Sequence, residues 1–274
     1  MTSQPTTTKL EFSRSPGWVQ ATTDQLIMIG RSSRHIIRNR DQLLGTFLQP
    51  IMFLVLFSAV FGGAIEKSLP PGVSYLTFLL PGIIVQTLAF GSTTTSLAVV
   101  NDLTKGIVDR FRSLPMNSLA VITGHVVSDL ARNGISAAVM ILVGVLMGFR
   151  SSASLAEWLL AIGLLALFTL AFSWMNAIMG ILAKSPEGVQ WLGFLIVFPL
   201  TFASTAFVPA DSMNKYLRAF AENQPFTQIV DATRALMLGQ PVGNHGWVSV
   251  VWCLGILTVS LPLSAYLFRR RTAQ

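Results

Sequence analysis

Six stretches of this chain run for 17 to 26 residues without one aspartate, glutamate, lysine or arginine: Gly45 to Ala64, Tyr75 to Val100, Asn133 to Phe149, Trp158 to Ala183, Gly188 to Ala210 and Trp247 to Phe268. A helix crossing the hydrocarbon of a bilayer needs about 20 largely apolar residues at 1.5 Å each, so each stretch is a candidate span. Only 11% of the 274 residues are charged and 52% are apolar, against roughly 25% charged in ordinary soluble domains. The expectation is an all-α polytopic membrane protein with six transmembrane helices. The second span is long enough to tilt or to break at Pro81-Gly82, and the third carries an amphipathic lead-in from Leu119.

An even number of spans leaves both termini on one side, and positively charged loops stay cytoplasmic. Of the 19 lysines and arginines, fourteen fall on the side of the termini and five (Lys67, Arg150, Lys215, Arg218 and Arg234) on the other. Both termini are therefore expected in the cytoplasm of a multi-pass cell-membrane protein. Tyr75, Trp158 and Trp247 stand where spans begin, as headgroup-level aromatic rings do. Trp174 falls inside the fourth span and reads as a packing residue.

The net charge of +7 sits at the edges of apolar runs, which suits topology rather than nucleic acid. A single cysteine, Cys253, excludes a disulfide framework within the chain and a cysteine-based zinc site. His35, His125 and His245 lack metal-ligand spacing, and no Gly-x-Ser-x-Gly elbow marks a serine nucleophile. No Gly-Lys pair occurs, so the phosphate-binding loop of an ATP site is missing and any ATP-driven role needs a partner. Met1 to Pro16 lacks the apolar core of a cleavable signal and reads as a disordered cytosolic tail ahead of one membrane domain, 17–274.

Three segments are not spans. From Gln25 to Leu44, Arg31, Arg34, Arg38 and Asp41 fall on one helical arc and Leu26, Ile29, Ile36, Ile37, Leu43 and Leu44 on the opposite one. That pattern predicts an amphipathic helix on the membrane surface, with Arg40 on the apolar side carrying its charge out along its stem. Between spans two and three, Leu103, Ile107, Phe111 and Leu114 recur at helical spacing with Lys105, Asp109 and Arg112 turned away. This predicts a short helix ending before Pro115, suited to contact with a second protein, or else a solvated loop obeying the topology rule. Between spans five and six, Asp211-Ser212 can cap one short helix through about Ala221. Phe226, Ile229, Val230, Thr233 and Met237 line a second, in which Asp231 and Arg234 can pair across a turn. Both helices are expected to dip into the outer leaflet or cap an external mouth.

Four pieces in order resemble one family: Arg38 to Phe53 (RNRDQLLGTFLQPIMF), Leu79-Leu80-Pro81-Gly82, Asp102 to Pro115, and Asn223 to Thr227 followed by Asp231-Ala232-Thr233-Arg234. Together they look like the daunorubicin-resistance type of permease in the type-2 ABC exporters. The resemblance implies two permeases side by side, identical or not, above two separately encoded ATPase subunits that hold ATP and Mg. It makes the helix around Arg31, Arg34, Arg38 and Arg40 the connecting helix. It makes Asp102, Lys105, Gly106, Asp109, Arg110, Phe111, Arg112 and Pro115 part of a coupling helix docked on the ATPase. The family often has glutamate where Asp102 stands, which shortens the side chain here and keeps its charge. Spans one, two and five would face the path.

Within the spans, Gln49, Phe53, Gln86, Phe90, Phe198 and Phe202 offer aromatic faces and a few amides, which suit a bulky amphipathic cargo (a drug, an antibiotic or a lipid) and suit helix packing equally well. A proton- or ion-coupled transporter needs ionisable groups at membrane depth. Here the nearest are Asp129 and Arg132, placed in the lead-in to span three. A scaffold without transport is the other rival.

Overall fold

The structure, a computed structural model, describes residues 40–70, 72–105 and 118–272. Among them are eight α-helices and no strand: α1 (Arg40–Ile65), α2 (Tyr75–Thr104), α3 (Ser118–Leu146), α4 (Leu155–Leu182), α5 (Pro186–Phe202), α6 (Lys215–Asn223), α7 (Pro225–Leu238) and α8 (His245–Thr272). Five of them, α1 to α4 and α8, are long and apolar enough to cross a membrane.

Helix boundaries follow local chemistry. Ser74 caps α2 by accepting the Thr77 amide at 3.3 Å. Ser154 and Glu157 form a capping box at α4, which satisfies two orphan donors reciprocally. Ser185 caps α5 with Pro186 at its first position, where the missing N–H is no loss. Gly239 ends α7 at φ 64°, a left-handed turn that favours glycine.

The hub is α2, which packs on α1, α3, α4, α5 and α7. Its residues from Leu79 to Ala89 are all buried, and it continues through Pro81 without a break. Small residues let the helices approach closely: a Cβ on Gly180 of α4 would stand 2.5 Å from the Ser96 carbonyl oxygen and 2.9 Å from the Ser96 Cα. The rim is the reverse of a soluble surface, with Leu48 67%, Leu146 78%, Leu155 78%, Trp191 73% and Leu195 68% exposed. Such a girdle is stable only where acyl chains replace water.

Several boundaries differ from expectation. Helix α3 begins at Ser118 and its apolar portion at Ile122, so Asp129 and Arg132 lie inside the third span rather than ahead of it. Arg132 is the central residue of the helix. Helix α5 stops at Phe202, not near Ala210, and its 17 residues extend about 26 Å, so a sixth full span is not established by length. It stops because side chains take over its last carbonyls: the Gln224 amide donates to Leu200 O at 2.9 Å and to Ala203 O at 2.5 Å. The cap of α6 is Asn214, because Asp211 pairs with Arg218 at 2.8 Å and the Ser212 hydroxyl donates to Pro209 O. Tyr75 is not a lipid-facing anchor: it is 2% exposed and its hydroxyl donates to Phe207 O at 3.0 Å.

Helix α7 penetrates further than a surface cap would. All five residues expected on its apolar side are buried. Phe226 at its start meets Phe168 at 5.7 Å and Phe172 at 6.1 Å edge to face, beside the midpoint of α4. Its far end is held by Ser151 and Ser152, whose hydroxyls donate to Met237 O and Leu238 O at 2.7 and 2.6 Å. These hydroxyls satisfy two of the carbonyls that a helix leaves unpaired at its end.

Gly180→Ala is expected to lower stability in detergent by about 1–3 kcal/mol through overpacking. Gly163→Ala in the same helix, where a Cβ meets nothing within 4 Å, should be neutral or stabilising by up to about 1 kcal/mol. Thermal unfolding by intrinsic fluorescence measures both.

Candidate functional site

Phenylalanines at i, i+4 spacing put one ring above another along a helix face. On α1, Phe53, Phe57 and Phe61 stack at 5.6 and 5.3 Å. On α5, Phe194, Phe198 and Phe202 stack at 4.9 and 4.2 Å. Phe207, in the turn after α5, joins the two columns, 4.9 Å from Phe57 and 4.7 Å from Phe202. Phe90 of α2 approaches Phe194 at 6.5 Å. The eight rings form one connected ladder, in which Phe61 is 42%, Phe194 48% and Phe198 37% exposed.

The ladder gathers four of the six path candidates, Phe53, Phe90, Phe198 and Phe202. It leaves out Gln49, exposed on α1, and Gln86, 6% exposed inside the bundle. Sequence reading missed Phe57, Phe61, Phe194 and Phe207. The first three continue the four-residue spacing of their neighbours and were visible in it, whereas Phe207 follows the helix end and only the fold brings it in.

Two ion pairs also tie helices together. Arg132 donates to Asp129 and Thr94, and to Gly91 O at 3.1 Å. Asp129 also accepts from Thr94 at 3.0 Å and from Ser173 of α4 at 2.5 Å. Gly91 lies within two residues of the midpoint of α2, so a charged pair sits at the centre of the bundle, 12% and 2% exposed. The spans are therefore not free of charge at depth. The pair is balanced one to one, which answers the cost of burying either ion alone.

The second pair is the expected Asp231–Arg234, at 2.5 Å. Arg234 also donates to Phe78 O at 3.0 Å and Thr205 O at 2.6 Å, and its guanidinium lies 3.8 Å from the Phe78 ring centroid. It thus fastens α7 to α2 and to the turn after α5. Burial pulls the Arg234 pKa down, and Asp231 opposes that shift.

At the loop end of α2, Asp102 lies in the last turn and Lys105 is the C-cap. Asp102 does not belong to a separate short helix. It is 13% exposed and sits 2.8 Å from His125 Nε2 of α3. Gly106, Asp109, Arg110, Phe111, Arg112 and Pro115 lie outside the described residues, as do Arg31, Arg34, Arg38 and the tail at 1–16. Arg40 is the first residue of α1. Cys253 is free and fully buried, as packing predicts. Among the described residues no group of His, Cys, Asp and Glu could hold a metal ion.

A helical bundle with an apolar rim and charges paired inside it defines a multi-pass membrane protein. Residues 24–238 match the ABC-2 type transporter family, and the chain belongs to it. It is similar to the daunorubicin resistance ABC transporter permease protein DrrB1 of Streptomyces coeruleorubidus, 32% identical over 85% of this chain and 81% of the relative. It is also similar to the probable doxorubicin resistance ABC transporter permease protein DrrC of Mycobacterium tuberculosis, 24% identical over 87% and 86%. Nodulation protein J of Rhizobium leguminosarum bv. viciae is 24% identical over 83% and 87%. The chain is thus a multi-pass membrane permease subunit of an ABC exporter, partnered by an ABC ATPase that carries out hydrolysis. That membership favours the exporter over the ion-coupled and scaffold readings.

Arg132→Met should destabilise the protein by about 3–5 kcal/mol, because Asp129 is left charged and unpaired. Asp129→Leu combined with Arg132→Met removes both charges and should cost clearly less. Unfolding midpoints in one detergent compare the two.

Proposed function

We propose that this permease exports bulky amphipathic compounds with planar aromatic character along the phenylalanine ladder. The single observation that carries this reading is the continuous, partly exposed ladder of eight rings from α1 across Phe207 to α5. Offset and tilted stacking on such faces binds flat rings with little demand on hydrogen bonding. The names of two relatives, which refer to daunorubicin and doxorubicin resistance, support the same cargo class.

In this reading two permeases, identical or paired with a sister chain, place their ladders towards a shared path. Two ATPase subunits holding ATP and Mg bind from the cytoplasm, where both termini lie. The segment from Asp102 to Pro115 is the docking element, with Lys105, Arg110 and Arg112 supplying charge. The amphipathic stretch through Arg31, Arg34, Arg38 and Arg40 rests on the membrane surface. Closure of the ATPases pushes the docking segment and switches the spans between inward and outward access.

Daunorubicin binding to the purified permease, followed by quenching of tryptophan fluorescence, tests the ladder. Phe198→Ala with Phe202→Ala should raise the Kd about tenfold, the effect of losing two stacking faces. An unchanged Kd would remove the ladder from cargo binding. Separately, reversing the charge of Lys105, Arg110 and Arg112 should abolish co-purification of the ATPase while membrane insertion persists, and retained co-purification would count against the docking segment.

A further inference from the structure

Four polar residues follow one another along α7 at helical spacing. Gln224, Thr227, Asp231 and Arg234 are separated by three, four and three positions, the repeat that lines side chains up on one face. All four reach one short segment, the turn after α5. The Gln224 amide donates to Ala203 O at 2.5 Å and the Thr227 hydroxyl accepts the Thr205 amide at 3.3 Å. Asp231 accepts the Thr205 hydroxyl at 2.8 Å, and Arg234 donates to Thr205 O at 2.6 Å.

Helix α2 meets the same turn. A Cβ on Gly82 would stand 2.3 Å from the Ala206 carbonyl oxygen, so the backbone of the turn lies directly on the helix. The Tyr75 hydroxyl donates to Phe207 O at 3.0 Å. Arg234 bridges the two holds, because it also donates to Phe78 O of α2 at 3.0 Å. The backbone of a turn has no ladder of its own and must find partners elsewhere. Here side chains of α7 and α2 provide them, and they thereby fix where the turn sits.

What the turn carries is Phe207, which is 5% exposed. Of the eight rings in the ladder it alone stands outside a helix, and it lies 4.9 Å from Phe57 and 4.7 Å from Phe202. We propose that the polar face of α7, together with Tyr75, is a positioning device for Phe207, holding that ring between the α1 and α5 columns so that cargo on the ladder is affected by Arg234 and Tyr75 without touching either. The effect on cargo rests on the reading of the ladder as the cargo site; the positioning of the ring does not. Arg234 and Tyr75 are positioning residues that act through Phe207.

The experiment uses the permease bound to its ATPase in lipid nanodiscs, with a fluorinated phenylalanine in place of Phe207 and with daunorubicin as the probe. The fluorine resonance reports the surroundings of that ring before any cargo is added. Tyr75→Phe removes the donor to Phe207 O. Arg234→Lys keeps a charge beside Asp231 but loses the fork that reaches Thr205 O and Phe78 O together. Both variants should move or split the resonance, whereas Arg218→Lys on α6, whose partners are Asp211 and Glu222, should leave it in place. With Phe207 itself restored, each variant should raise the daunorubicin Kd about threefold. On a Phe207→Ala background neither should raise it further, because both act through that ring. A resonance unmoved by both variants, or a rise in Kd that persists in full on the Phe207→Ala background, would overturn the proposal. A moved resonance beside a Kd that Phe207→Ala leaves unchanged would uphold the positioning and defeat the ladder as the cargo site. If Arg234→Lys does not assemble, Tyr75→Phe, which removes a single oxygen, decides alone.

Discussion

Hydrocarbon offers no hydrogen bonds, and that constraint dictates the architecture of this permease. Every backbone group at depth must be satisfied by the protein, which is why the described residues are helical and why side chains take up several carbonyls where helices end or turn. Gln224 closes α5, Ser151 and Ser152 close α7, and Arg234 binds carbonyls of α2 and of the turn after α5.

The same constraint shapes the interior. Where α2 meets α3 and α4, small residues and hydrogen-bonded charges hold the backbones close. Where α1 and α5 come together, aromatic rings do the packing, and Tyr75 and Arg234 hydrogen-bond α2 to the turn after α5.

Much of this was legible in the residues, and the rest was hidden for physical reasons. Charge-free runs located the spanning helices because the cost of burying an ion is large and local. The same rule misplaced the start of α3, since Asp129 and Arg132 look forbidden one by one and are tolerable only as a pair with Thr94 and Ser173, which no window along the chain brings together. The five apolar positions of α7 were readable from spacing, but not its depth, which depends on Phe168 and Phe172 of α4. The ladder was half visible: four-residue spacing implied the columns on α1 and α5, whereas their junction at Phe207 is a tertiary event. The Asp102–His125 contact spans 23 positions and a loop, and nothing local announces it.

ATP-dependent accumulation of daunorubicin in inside-out vesicles containing this chain together with its ATPase partner tests the account most directly. Uptake that requires both proteins and ATP, and that stops when either protein is left out, is the predicted result. Equal uptake without the ATPase, or none when both are present and ATP is being hydrolysed, would contradict it.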